Sequence, residues 1–392
     1  MIVCHFNGAP AVWTHYNTTL CVLQHDVRQS FLLSAAEQEF VLKRKQIAMK
    51  SLNNLGITLT LDSVPHIALL GSGGGQRSAL SLVGSLYQME KEGLLDTVLY
   101  LGGVSGSAWS MSSLYRDPQW SANMDRVVSN LSGPEVPLEQ ALAWLGERAK
   151  EEHFSLTDIW GVVTSVYNCV FQDLLSQSVF CIRLSLFGSG KWFEMTPREV
   201  GFTDLGLFIN TSRLGSRNYE ADPEVQEMDM VKLQARTSVH SQLSLCCWEG
   251  AAVPACLRLK EHIELIDAGL MLNMPYPPFL GEKRDVDLLI ALESGADDIF
   301  KVRDYAAEVK KPFPEIDPKI LEERDWPNDC YVFEGKEKEP TIIYMPLFNR
   351  PQNTYFKYTE FVLETAKFNI KNNKETLLRE INKAALRRHN KR

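Results

Sequence analysis

Two short glycine-containing stretches hold the residue types with the most chemical potential. Gly103-Val104-Ser105-Gly106-Ser107 follows the G-x-S-x-G pattern of a turn that exposes a nucleophilic serine, with Ser107 in place of the last glycine. A serine hydroxyl attacks an acyl carbon only if a base takes its proton and donors hold the charge that develops. A turn glycine-rich for packing alone is the competing reading. Upstream, Gly71-Ser72-Gly73-Gly74-Gly75-Gln76-Arg77 invites a nucleotide reading that fails twice. A phosphate-cradling P-loop needs Gly-Lys-Ser/Thr where Gln76-Arg77-Ser78 stands. A dinucleotide fingerprint needs a small residue at Gln76 and a downstream acid for the ribose. What remains is a set of backbone amides at a helix N-terminus, an anion site, with Arg77 placed to add a bidentate phosphate contact. A loop that merely turns tightly stays open as the alternative.

The base is narrowed by counting. Eight histidines stand at 5, 15, 25, 66, 153, 240, 262 and 389, and a triad in the order Ser, acid, His wants its histidine late. Only His389, in a basic helical tail, follows His262, and His262 reads as structural beside Glu261. A Ser-Asp dyad therefore competes with the triad. Asp267 in Ile266-Asp267-Ala268-Gly269 is its best candidate, ending an apolar run with small residues behind it. Sites in parallel sheets gather at that edge.

The elements that must position these groups follow from periodicity. Pro65 to Leu70 reads as a strand, the glycines as a loop, and Ala79, Leu82, Val83, Leu86 and Met89 as a helix. A second unit repeats the order, with a strand at Thr97–Leu101, a turn at Gly102–Ser107 and a helix from Ala108 towards Leu114. Consecutive strand-turn-helix units imply parallel strands with crossover helices, and Ile263–Ile266 and Val286–Ala291 extend the same sheet. Ser34-Ala-Ala-Glu37 is a capping box at a helix start, and the following Lys43-Arg44-Lys45 reads as a solvated face. The tail is helical from Tyr358 to Leu386 with a break at Asn372-Asn373. Without a linker to divide it, the chain reads as an unmatched leader, 1–27, and one domain, 28–392.

Four blocks then resemble the catalytic domain of the cytosolic group IV phospholipase A2 family, most like its gamma-type members that lack the calcium-binding lipid-targeting domain. They are Leu70-Gly-Ser-Gly-Gly-Gly-Gln-Arg77-Ser, Gly93-Leu-Leu-Asp with Tyr100-Leu-Gly-Gly-Val-Ser105-Gly-Ser-Ala-Trp109, Trp192-Phe-Glu-Met-Thr-Pro197, and Leu265-Ile-Asp267-Ala-Gly-Leu with Asn273-Met-Pro-Tyr-Pro277. The resemblance implies a patatin-like three-layer α/β fold, a central mixed, largely parallel sheet flanked by helices. It implies Ser105 as nucleophile, Asp267 as base without histidine, Gly74 and Gly75 as oxyanion hole, and Arg77 on the substrate phosphate. Arg284 aligns with a second active-site arginine, a solvated loop residue being the other reading.

The implied chemistry is hydrolysis of a glycerophospholipid acyl ester through an acyl-serine, with lysophospholipase and transacylase activity sharing that intermediate. It needs no metal, calcium or other cofactor. The segment 218–262 is shorter than the family's lid and cap region and matches it poorly, so a catalytically impaired lipid-binding isoform is the alternative function. The chain ends without a prenylation box, which leaves reversible contact of apolar rim residues and basic patches with membranes.

Composition agrees with this setting. The 392 residues are 45% hydrophobic and 23% charged, which excludes disordered and collagen-like classes. The formal charge of −8 gives no general pull towards nucleic acid. Eight cysteines, of which only Cys246 and Cys247 are adjacent, form no CxxC pair. With no run of eighteen apolar residues and a poor signal peptide, the expectation is a cytoplasmic, reducing compartment.

Overall fold

Runs of apolar residues with no polar interruption form the centre of the protein. In this computed structural model the described residues are 27–114, 120–131, 137–150, 154, 159, 162, 181–186, 192–211, 241–244, 262–295, 298–323, 327–347 and 358–391. The strands are β1 (Arg28–Gln29), β2 (Ile67–Gly71), β3 (Tyr100–Gly103), β4 (Cys181–Leu186), β5 (Trp192–Met195), β6 (Glu199–Phe202), β7 (Leu207–Asn210), β8 (Ser241–Ser244), β9 (His262–Asp267), β10 (Leu288–Glu293), β11 (Tyr331–Phe333) and β12 (Thr341–Pro346). The helices are α1 (Ala35–Asn54), α2 (Gln76–Lys91), α3 (Gly106–Leu114), α4 (Met124–Leu131), α5 (Leu138–Arg148), α6 (Ile299–Glu308), α7 (Tyr358–Asn372) and α8 (Lys374–Asn390).

Among the described residues one mixed sheet runs β1-β7-β6-β5-β4-β3-β2-β10-β12-β11. Parallel pairing holds β4, β3, β2, β10 and β12 together in the centre, while β5, β6, β7, β1 and the edge strand β11 pair antiparallel. Every residue of β2, β3, β10 and β12 is buried, as expected of strands covered on both faces. This is the mixed α/β fold that the motifs lead one to expect, with both strand-turn-helix units in place.

Helix α2 buries Ala79, Leu82, Val83, Leu86 and Met89, with Gly84 at its crossing with α7. A methyl on Gly84 would lie 2.7 Å from the Leu363 carbonyl oxygen, so only glycine lets the two helices come this close. The tail breaks at Asn373, between α7 and α8, where the sequence places a break.

Several local expectations are corrected. The second strand begins at Tyr100 rather than Thr97, because Leu95–Thr97 closes a 3-10 turn with the Thr97 and Val98 amides on the Leu94 and Leu95 carbonyls. The Lys43-Arg44-Lys45 face is not wholly solvated. Arg44 donates to the carbonyls of Val98 (2.9 Å) and Leu95 (3.1 Å), docking α1 on that same turn. Ser34 caps α1 by accepting the Glu37 amide at 3.2 Å, but the Glu37 carboxylate, buried, does not complete the box. The leader 1–27, apart from Val27, lies outside the described residues, as does 218–262 apart from Ser241–Ser244 and His262.

Glu37 is committed to an ion cluster instead. Arg284, fully buried, donates from Nε to Glu37 (3.0 Å), from its two terminal nitrogens to Glu194 (2.8 and 3.3 Å), and to the Pro278 carbonyl (3.0 Å). Its guanidinium lies 5.8 Å from the Tyr100 ring centre and 5.5 Å from that of Phe279. Lys283 adds a 2.7 Å bond to Glu194, and Arg28 binds Glu199 at 2.7 Å, so α1, β1, β5, β6 and the loop before β10 share one network. Burial alone would raise the Glu194 carboxyl; Arg284 and then Lys283 outweigh it and hold it far below the carboxylate range. A depressed carboxyl contributes stability above its unfolded value and loses it as pH falls through the folded one. The cluster's contribution is therefore full at neutral pH and declines progressively once pH falls below the ordinary glutamate value of about 4.3. Removing one partner strands the others in a dry interior, so Arg284→Met is expected to lower unfolding free energy by about 3–5 kcal/mol. A urea midpoint within error of the parent protein at pH 7 would refute this.

Candidate active site

The candidate residues converge because β4 is shared. Its first half pairs with β3, Gly103 opposite Ile182, and its second half pairs with antiparallel β9, Asp267 opposite Leu184. Strands β3 and β9 thus run head to head along one edge of β4 and end two positions apart, about 7 Å of strand. Gly103 leads into the Ser105 turn from one side, and Asp267 arrives from the other.

Ser105 has φ 49°, a left-handed conformation for a residue with a side chain, which costs about 1–2 kcal/mol. The neighbouring contacts hold it there. A methyl at Gly103 would meet the Met111 sulfur at 2.6 Å, and one at Gly106 would sit 1.9 Å from the Gly75 carbonyl oxygen. The Ser107 hydroxyl donates to the Ser72 carbonyl at 2.6 Å, joining this turn to the glycine loop. The Trp109 amide bonds the Ser105 carbonyl at 3.2 Å as α3 begins, so the serine sits at a helix N-terminus where negative charge is favoured.

Asp267 accepts the Gly269 amide on Oδ1 at 2.9 Å and the Ser105 hydroxyl hydrogen-bonds to its carboxyl. Burial raises this carboxyl above the ordinary aspartate value, and the Gly269 amide and Ser105 hydroxyl pull it back only in part. A carboxyl raised this way holds a proton more strongly than a solvated aspartate does.

The glycine loop lies against the same serine. A methyl at Gly73 would come 3.1 Å from the Ser105 Cβ. Gly74 (φ 141°) and Gly75 (φ 61°) occupy backbone conformations that side chains rarely adopt, and Gly75 caps α2. Their amides therefore stand at the N-terminus of α2, on the loop that meets Ser105 through Gly73. Arg77 is half-buried in the first turn of that helix.

Arg284 is not brought to this site. Leu288 pairs with Ile67 at the start of β2, so Arg284 lies at the N-terminal edge of the sheet, a strand length from Gly71 and Ser105, and its guanidinium is closed in the ion cluster. The expected contact with substrate phosphate fails on both grounds. The described histidines have partners or places elsewhere. His389 bonds the Ser63 hydroxyl at 3.0 Å, and His66 precedes β2 with its ring on the Arg284 carbonyl (3.0 Å). His262 begins β9, the end opposite Asp267.

No protein-family model matches the chain. Among curated proteins it is 27% identical to mouse (Mus musculus) cytosolic phospholipase A2 zeta, over 84% of this chain and 55% of the relative. It is 25% identical to human cytosolic phospholipase A2 gamma, over 89% of this chain and 94% of the relative. The solved structure of human GIVD cytosolic phospholipase A2 superposes with a TM-score of 0.77 at 20% identity, covering 93% of this chain and 69% of that one.

The chain is similar in sequence and fold to cytosolic phospholipases A2. It spans about half the length of the zeta proteins that it matches. The GIVD enzyme has also been solved in complex with methyl gamma-linolenyl fluorophosphonate, and that structure superposes at a TM-score of 0.75 and 23% identity. Among the described residues, no helix is long and apolar enough to cross a membrane.

Side chains that sequence reasoning missed complete the site. Ser72 accepts the Ser294 amide (2.7 Å) and donates to the Gly73 carbonyl (3.1 Å). Asn273 holds Gly73 from the other side, and Glu293 takes the Gly295 amide at 2.6 Å. Asn273 and Glu293 come from β9 and β10 loops, and no spacing rule links them to a glycine loop two hundred residues earlier. Leu270 and Met271, just beyond Asp267, are 80% and 52% exposed, an apolar rim at the site.

A raised carboxyl burdens the fold. Because folded Asp267 holds its proton more tightly than the unfolded chain does, stability declines as pH rises from the ordinary aspartate value through the raised one. Asp267→Asn keeps an acceptor for Gly269 and removes the buried charge. Its thermal midpoint at pH 7 is expected to equal or exceed that of the parent, with the gain vanishing in acid; a clear loss at pH 7 would contradict this.

Proposed function

We propose that the protein hydrolyses acyl esters of glycerophospholipids through a Ser105-Asp267 dyad. One observation carries the reading: the hydroxyl of a strained serine at a helix N-terminus is hydrogen-bonded to a half-buried carboxylate beside a glycine loop. The names of the relatives support the substrate class. Residues 28–392 act as a single catalytic domain, and lysophospholipase and transacylase activities follow from the same acyl-enzyme.

In the first step Ser105 Oγ attacks the ester carbonyl while its proton passes to Asp267. The carbonyl oxygen becomes an oxyanion facing the amides of Gly74 and Gly75, at the positive end of α2. Collapse of the tetrahedral intermediate breaks the bond to the glycerol oxygen, which takes the proton from Asp267 and leaves as lysophospholipid. The raised carboxyl suits this donation. Water then attacks the acyl-serine, Asp267 accepts its proton and returns it to Ser105 Oγ, and the fatty acid departs. Arg77, on the same helix end, binds the substrate phosphate. None of these steps requires calcium or another cofactor. The exposed Leu270 and Met271 give the site an apolar rim for reversible contact with cytoplasmic membranes.

Release of labelled fatty acid from phosphatidylcholine vesicles tests the reading. Parent protein is expected to be equally active with calcium and with chelator, and Ser105→Ala and Asp267→Asn to lose at least about 10³-fold. Gly74→Ala is expected to lose about 10²-fold through a displaced donor, and Arg77→Ala to raise KM more than it lowers kcat. The acid limb of kcat/KM lies above the ordinary aspartate value of about 4. Undiminished hydrolysis by Ser105→Ala would end the assignment. Absence of fluorophosphonate labelling at Ser105 would favour a silent lipid-binding protein.

A further inference from the structure

Asn273 is six residues beyond Asp267, yet its contacts are with the other half of the site. Its backbone carbonyl accepts the Gly73 amide at 2.8 Å, and its side-chain amide donates back to the Gly73 carbonyl at 3.1 Å. This two-bond bracket grips the residue immediately before Gly74. The fit is close: a methyl on Gly73 would lie 2.2 Å from Asn273 Oδ1, and one on Gly269 would lie 3.0 Å from the same atom. Asn273 Oδ1 is therefore wedged between the glycine loop and the turn whose amide holds Asp267.

The orientation of that amide is fixed from β10. Asn273 Nδ2 is 3.5 Å from Glu293 Oε1, which also accepts the Gly295 amide at 2.6 Å, and Nδ2 would be 2.3 Å from a methyl on Gly295. Glu293 is buried at the end of β10 and can accept but not donate when ionised, so it turns the donor end of the asparagine towards itself and the Gly73 carbonyl. Ser72 locks the same loop from below by receiving the Ser294 amide.

From this geometry we infer that Asn273, oriented by Glu293, is a positioning residue that sets the glycine loop in register with the Ser105-Asp267 dyad. The inference rests on the dyad reading above and adds a residue to it. It gives the loop amides a fixed distance from the serine that their own flexible glycines cannot hold. Misplacing a reacting group by about 1 Å typically costs about 10² in rate.

The experiment compares Asn273→Ala, Glu293→Ala, Glu293→Gln and the double alanine variant in full-length protein. Each is measured for kcat, KM and pH profile on phosphatidylcholine vesicles, and for thermal midpoint. Asn273→Ala is expected to lower kcat about 10²-fold with KM within twofold and the acid limb of the pH profile unmoved. The double alanine variant is expected to be no slower than the worse single one. Glu293→Gln, which keeps an acceptor for Gly295 and Asn273, recovers most of the rate lost in Glu293→Ala. Parent-level kcat in Asn273→Ala overturns the inference, as does an acid limb that moves with the rate restored at high pH, which would place the effect on Asp267. Should Asn273→Ala not fold, the Glu293 pair decides: equal rates in Glu293→Ala and the parent overturn it. Failure of the dyad reading shows separately, as parent protein that neither hydrolyses vesicles nor is labelled at Ser105 by a fluorophosphonate.

Discussion

The site depends on two loops meeting backbone to backbone. Gly106 lies so close to the Gly75 carbonyl that any side chain would overlap it, and the Ser107 hydroxyl bridges to the Ser72 carbonyl. Neither strand-turn-helix unit can shift without the other. The consequence is chemical: two helix N-termini, those of α2 and α3, point into the same small volume. Each favours negative charge by about 0.3–1 kcal/mol at an exposed site, and by more where water is excluded. Bulk at the contact would separate the glycine amides from the serine, so the glycines are required by sterics as well as by φ.

A second constraint delivers the base. Strand β4 carries β3 for half its length and β9 for the other half, so two chain segments far apart in sequence end face to face. The carboxylate that results is half-buried, close to the serine, and held by one amide. Such a group opposes folding, and its cost is carried by the apolar strands around it. Fully burying one Leu or Ile side chain contributes about 1.5–3 kcal/mol, so β2 and β10 alone outweigh it.

Much of this was legible in the sequence, for physical reasons that also mark where legibility ended. Periodicity and the glycine punctuation located β2, α2, β3 and α3 because these signals are local. Asp267 stood out because an acid ending an apolar run is unusual. Arg284 did not disclose its place. A loop arginine looks alike in sequence whether it meets a ligand or is closed between Glu37 and Glu194, and only the register of β10 on β2 separates the two. Asn273 was quoted within a motif but had no visible task, since its partner Gly73 is fixed by the fold of β9 and β10 around β2. The antiparallel direction of β9 was hidden for the same reason: a short apolar run carries no orientation.

Two sets of carboxylates serve different ends. Arg284, Glu194, Glu37, Lys283, Glu199 and Arg28 satisfy one another. Asp267 has the Ser105 hydroxyl and the Gly269 amide for partners. Both lose solvent, yet with opposite outcome. Glu194 has two cations beside it and is held far below the carboxylate range; Asp267 has no cation among its described partners and is raised. A cation next to Asp267 would bind the carboxylate more firmly and make it a poorer base. Committing Arg284 and Lys283 to Glu37 and Glu194 is therefore as much a condition of the proposed chemistry as bringing the serine near.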